Sequence, residues 1–264
     1  MSAAGTYLDK ILAAKRAKLS RERIAAVTPK AVADAVQSLP PARSLEDALR
    51  SGTAPRVIAE FKRASPSAGP LRAGAEVGPI VEGYARAGAA ACSILCDEHF
   101  DGSLDDLRRA REATSVPLLC KDFILERAQI LEARRAGADA VLLIAAALPA
   151  PTLRPLVQFA HELGMDVLCE AHSEHEVDRA MSAGCRCVGV NARALTTFDV
   201  DLDLCIRLRR LVPASFTYVA ESGVRGPDDL RRLRDAEVDA VLIGSVLMTA
   251  EDPGAALAEL LESP

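Results

Sequence analysis

Five apolar, strand-like runs in this chain end in groups able to carry charge or to hydrogen-bond a polar substrate. VIAEFK (57–62) ends in Glu60 and Lys62, PLLCK (117–121) in Lys121, VLCE (167–170) in Glu170, CVGVNAR (187–193) in Asn191 and Arg193, and YVAES (218–222) in Glu221 and Ser222. Burying one unpaired ionic group costs several kcal/mol, so such groups at buried strand ends are either paired or in use. Any single one is equally well explained as an ion pair closing a strand end. Five strand ends of the same kind predict one shared centre. Lysines among carboxylates suit proton transfer, because proximity and burial drive some groups neutral and hold others ionised.

The last two strand-like runs are followed by small residues, in Glu221-Ser222-Gly223 and Ile243-Gly244-Ser245. Glycine and serine there expose backbone N–H groups, the usual way a barrel holds a phosphate. The segment SPSAG (65–69) adds hydroxyls and a flexible glycine suited to an anion, or equally to a plain turn. His172 and His175 lie three apart without a matching third ligand, and Ser173 with Glu176 reads instead as a helix start, so no metal is expected.

These groups need a frame to bring them together. Strand-like segments recur at 57–61, 91–95, 117–120, 140–144, 166–169, 187–190, 217–220 and 240–243. Between them run amphipathic segments such as LDDLRRAREA (104–113), RAQILEARRA (127–136) and PDDLRRLRDA (227–236). Gly88, Gly137 and Gly184 each sit where a helix would end, whereas the fourth equivalent, Ala236-Glu237-Val238, has no glycine. Strict alternation with short links predicts parallel strands with right-handed crossovers, and eight units predict a closed (β/α)8 TIM barrel. A doubly wound open sheet is the alternative, but the Gly-rich turn it usually carries after its first strand is missing. Period two then puts Ile58, Glu60 and Lys62, Leu119 and Lys121, Leu168 and Glu170, and Gly189, Asn191 and Arg193 on inward faces. The expected organisation is one barrel domain over 1–264, with 1–50 as a helical extension capping one end.

Composition predicts a soluble domain with a large core and narrows its partners. The 264 residues are 50% hydrophobic and 3% aromatic, with a net charge of -5, which argues against a nucleic-acid surface. The longest apolar stretch, Ala140 to Ala147, is too short to cross a bilayer, and the N-terminal residues alternate charge with Leu and Ile rather than forming a secretory signal. A cytoplasmic location is expected. Seven cysteines without a C-x-x-C pair read as buried apolar residues, with neither disulfide nor zinc. The sequence sets no oligomeric state, and a monomer is compatible with it.

Taken in order, IAEFKRASPS (58–67), LCKDFI (119–124), GMDVLCEAH (164–172), GVNARALTTFDVD (189–201), VAESGV (219–224) and LIGSVLM (242–248) resemble the indole-3-glycerol-phosphate synthase family over essentially the whole chain. The resemblance implies a sugar-phosphate substrate, 1-(2-carboxyphenylamino)-1-deoxyribulose 5-phosphate. It also implies ring closure, decarboxylation and dehydration to indole-3-glycerol phosphate in tryptophan biosynthesis, with no cofactor. It carries catalytic roles onto Glu60, Lys62, Lys121, Glu170, Asn191 and Ser222. Substrate contacts fall to Ser65, Phe100, Phe123, Arg193, Leu195, Glu221, Gly223, Ile243, Gly244 and Ser245. The division of acid and base work among Glu60, Lys62, Lys121 and Glu170 stays open, since coupled groups share protons.

Against that pattern, the loop from Cys96 to Ser103 is a residue shorter, Ala68 stands where a lysine is frequent, and Asn191-Ala192-Arg193 lacks a second asparagine. These departures bear on loop closure more than on the chemistry. A phosphoribosylanthranilate isomerase would need a Cys/Asp pair near strands one and six, where this chain offers Glu60 and Lys62 at strand one. A non-catalytic phosphate-binding barrel would leave the proton-transfer residues without a purpose.

Overall fold

The computed structural model describes residues 6–22, 27–65, 68–194 and 196–262. Its eight barrel strands are β1 (Arg56–Phe61), β2 (Ala91–Leu95), β3 (Leu118–Lys121), β4 (Ala140–Ile144), β5 (Asp166–Ala171), β6 (Cys187–Asn191), β7 (Thr217–Glu221) and β8 (Ala240–Ile243). Each pairs in parallel with its sequence neighbours, and β1 pairs with β8 to close the ring. Several strands run a residue or two beyond the expected ends. The register pairs Leu95 with Lys121 and Asn191 with Glu221, so the polar strand ends belong to the sheet itself.

The alternation expected from period two is present. Ile58, Ala91, Leu119, Leu142, Leu168, Cys187, Val219 and Leu242 fill the barrel interior, while Val57, Phe61, Cys92, Ile94, Cys120, Leu143 and Cys169 pack under the helices. All seven cysteines are buried thiols. Gly88, Gly137 and Gly184 end their helices at φ 98, and Glu237 takes the same left-handed turn at φ 55 where glycine is missing. A two-strand hairpin, Ala64–Ser65 against Gly69–Pro70, follows β1.

The N-terminal extension differs from expectation, because it serves both ends of the barrel. The helix α3 (Leu45–Arg50) buries Leu45 and Leu49 against the inner residues Ile58, Ala91 and Val219, stoppering the end where the strands begin. It is tied there by Asp166 at the start of β5, which accepts bonds from the Ser44 hydroxyl (3.1 Å) and the Glu46 N–H (3.0 Å). The first helix, α1 (Tyr7–Glu22), lies instead at the opposite mouth, where Tyr7, Leu8 and Ile11 face the cavity. A sixteen-residue helix separated from α3 by a second one, α2 (Pro29–Ser38), has the reach to do this.

Candidate active site

The C-terminal ends of the strands surround a cavity of about 580 Å³. Into it come Glu60 and Lys62 from β1 and the residue just past it, Lys121 from β3, Glu170 from β5, Asn191 from β6 and Glu221 from β7. The Lys121 ammonium lies 3.1 Å from Glu170 Oε2 and 3.3 Å from Glu221 Oε2. The Lys62 ammonium is 2.7 Å from Glu60 Oε1. The three carboxylates are between 1% and 4% exposed, and water therefore screens these charges little.

Two glycines make room for those carboxylates. A Cβ on Gly189 of β6 would run into the Glu221 carboxylate, and one on Gly244 would strike the Glu60 carboxylate and come within 3.0 Å of Lys62 Nζ. Burial acts against a charge on Lys121, but Glu170, Glu221 and Glu60 outweigh it and keep the ammonium protonated far above neutrality. Burial likewise opposes ionisation of Glu170, and the Lys121 and His172 charges overcome it, holding that carboxyl below its ordinary range. For Glu221 the balance goes the other way. Burial, with Glu170 and Glu60 adding to it, outweighs Lys121 and pushes this carboxyl up to about 7.

Around this centre the wall is divided by chemistry. Phe100 and Phe123 stack with ring centroids 6.4 Å apart, forming an aromatic side of the cavity. Across the mouth lie Ser222, Gly223, Gly244 and Ser245, the last opening the short helix Ser245–Met248. Ser222 and Gly223 both adopt positive φ, 65 and 91, an unusual conformation for serine. Ser65 lines the cavity as well, its hydroxyl accepting from the Ala68 N–H at 3.1 Å. Arg193 is held by the Phe198 carbonyl (3.1 Å), with its N–H on the Asn191 amide oxygen (3.0 Å).

Comparison with known proteins gives this geometry its context. Residues 8–260 match the family model for indole-3-glycerol phosphate synthase. The chain belongs to that family. An indole-3-glycerol phosphate synthase of Polaromonas naphthalenivorans is 44% identical over 96% of this chain and 97% of its own length. One of Mycobacterium tuberculosis is 44% identical over 97% and 94% respectively. Among solved structures, a thiamine phosphate pyrophosphorylase of Pyrococcus furiosus superposes with a TM-score of 0.63 at 20% identity, covering 83% of this chain and 96% of its own. That likeness concerns the barrel alone.

Of the site residues expected for the indole-3-glycerol phosphate synthase family, Leu195 lies outside the described residues. The others all border the cavity. Ile243 packs chiefly among the residues outside the barrel, and it is Leu242, one position earlier, that points inward. Sequence reasoning missed Leu142 and Ile144 of β4, which carry no polar signal, and Tyr7, Leu8, Ile11, Phe198 and Arg225, which lie off the strands. His172, read as no metal ligand, sits between two carboxylates, 3.7 Å from Glu170 and 3.7 Å from Glu176. Ser173 caps the next helix by accepting the Glu176 N–H, as the sequence predicted. No described helix is long and apolar enough to cross a membrane.

Proposed function

We propose that this protein closes, decarboxylates and dehydrates 1-(2-carboxyphenylamino)-1-deoxyribulose 5-phosphate to indole-3-glycerol phosphate, CO2 and water. The observation that carries the reading is the Lys121 ammonium shared by Glu170 and Glu221, facing the same cavity as the Glu60–Lys62 pair. Two cations and three carboxylates supply the proton donors and acceptors for successive condensation and elimination in one chamber.

In this reading the phosphate rests on the backbone N–H groups of Gly223, Gly244 and Ser245, with Ser65 beside them. The anthranilate ring lies against Phe100, Phe123 and the aliphatic wall, and Arg193 turns its planar fork toward the carboxylate. The ring carbon bearing that carboxylate attacks the ketone carbon, and Lys121 protonates the oxygen as the C=O π bond breaks. The C–CO2 bond then cleaves, and its electron pair restores the aromatic ring. Lys62 next donates a proton to the hydroxyl, which leaves as water with help from the nitrogen lone pair. Glu60 removes the neighbouring methylene proton to form the second double bond of indole. Glu170, kept ionised, faces the cationic stages, and Asn191 and Ser222 orient the reacting end. Attack on the ketone dearomatises the ring, which then takes back the electron pair of the departing carboxylate, so the decarboxylation requires no cofactor.

A role in cytoplasmic tryptophan biosynthesis, with a small sugar phosphate as the partner and neither nucleic acid nor membrane, fits this chemistry. The deciding experiment follows indole absorbance and fluorescence after adding that substrate to purified protein. A folded protein that stays silent at millimolar substrate overturns the reading.

A further inference from the structure

The helix α1 is bound to the mouth of the barrel by a buried charge as well as by apolar contact. Lys15 Nζ lies 3.0 Å from Asp97 Oδ2 and 2.5 Å from Asp122 Oδ1, with 10% of its side chain exposed. Asp97 uses its other oxygen on His99, accepting the backbone N–H at 2.9 Å and contacting ring Nδ1 at 2.6 Å. Asp122 Oδ1 also accepts the Phe123 N–H at 2.7 Å. Lys15 itself is not among the residues lining the cavity.

What matters is what the two aspartates adjoin. Asp97 caps the turn Glu98–Phe100 and so sets the position of Phe100. Asp122 stands between Lys121 and Phe123. One ammonium therefore ties α1, which brings Tyr7, Leu8 and Ile11 to the cavity, to both halves of the aromatic wall and to the residue following the proposed general acid. Without it, two buried carboxylates would face each other with only His99 and the Phe123 N–H to offset them. Burial already drives Asp122 upward, with Asp97 adding to it, against the pull of Lys15.

We propose that Lys15 is a positioning residue for the reaction, holding the Phe100–Phe123 wall and the Lys121 end of β3 in register with α1. This rests on the lyase reading above. Lys15 touches no substrate atom; it acts through Asp97 and Asp122. A shift of about 1 Å in a reacting group can cost on the order of 100-fold, so the effect belongs in kinetics more than in folding.

The experiment compares wild type, Lys15→Met and the double variant Lys15→Met with Asp122→Asn for kcat, KM and thermal midpoint. Affinity for a substrate analogue whose ketone is reduced to the alcohol, which binds without reacting, is measured by calorimetry. Lys15→Met is expected to lose about 10- to 100-fold in kcat/KM, with KM rising and analogue affinity falling in parallel. The double variant, which removes the stranded Asp122 charge, is expected to regain a tenfold or larger part of that loss, and it serves where the single variant folds poorly. Wild-type kinetics in both variants, or a double variant that is folded but no better than a folded single one, overturns the positioning role. A silent wild type overturns the lyase reading itself, which separates the two failures.

Discussion

Lys121 and Glu221 lie 3.3 Å apart at the barrel mouth, yet neither Glu221 oxygen accepts a well-formed hydrogen bond from the described residues. The ammonium's hydrogen bond goes to Glu170 at 3.1 Å, which leaves Glu221 as the less compensated of two buried acids. That asymmetry sorts the carboxylates: Glu170 stays ionised and Glu221 rises to about 7.

A pH dependence of stability follows from Glu221. The folded protein favours its neutral form, so the stability it contributes is complete below the ordinary value of 4.5 and is lost as pH rises to about 7. Glu221→Gln stays neutral and escapes that loss. Urea unfolding should show the variant gaining on wild type between those limits, by up to roughly 3 kcal/mol, with activity reduced. A difference that is flat with pH rules this account out.

Lys121→Met removes the shared cation and leaves Glu170 and Glu221 facing each other in a dry site. Turnover should fall by about 100-fold or more for loss of a general acid, and no indole should appear in a single turnover at times when wild type is complete. Unchanged turnover would remove Lys121 from the chemistry.

Lys62→Met should separate the later steps from the earlier ones. In the proposed scheme ring closure and loss of CO2 draw on Lys121, so CO2 evolution should persist while indole absorbance lags behind it. Measuring both products after rapid mixing checks this, and their equal slowing would assign Lys62 to the first step instead.

Gly244→Ala places a methyl group against the Glu60 carboxylate and the Lys62 ammonium. Displacement of that pair is expected to cost about 100-fold in kcat/KM with the fold retained by circular dichroism. Full activity in the variant would mean that the contact is not maintained in solution.

Phe123→Ala removes one of the two stacked rings of the aromatic wall. A loss of about 2- to 10-fold in affinity for the anthranilate end is expected, seen mainly in KM, since stacked aromatic pairs add about 0.5–1.5 kcal/mol beyond burial. An effect confined to kcat would place the substrate ring elsewhere.

Much of this was legible in the chain because it is local. Alternation along each strand follows from backbone geometry, so VIAEFK and VLCE already declare which side chains look inward. The glycines ending three helices and the Ser173 cap are equally short-range. Ile243 borders the cavity as expected, while Leu242 beside it, which fills the barrel interior, drew no notice because it belongs to an unbroken apolar run. The apolar wall at Leu142 and Ile144 was hidden, because a leucine in a buried strand looks the same whether it faces a ligand or another leucine.

The sequence by itself determined eight alternating units, the inward polar residues at their ends and the small residues suited to a phosphate. Only the tertiary structure decided who meets whom there. Closure of β1 on β8 brings Gly244 against Glu60, the register of β6 on β7 lets Gly189 admit the Glu221 carboxylate, and Lys15 reaches Asp97 and Asp122 from a helix before the barrel. The reason is physical: backbone sterics repeat every residue or two and are written in any short window, whereas the pairing of charges depends on distances set by ring closure across the whole chain.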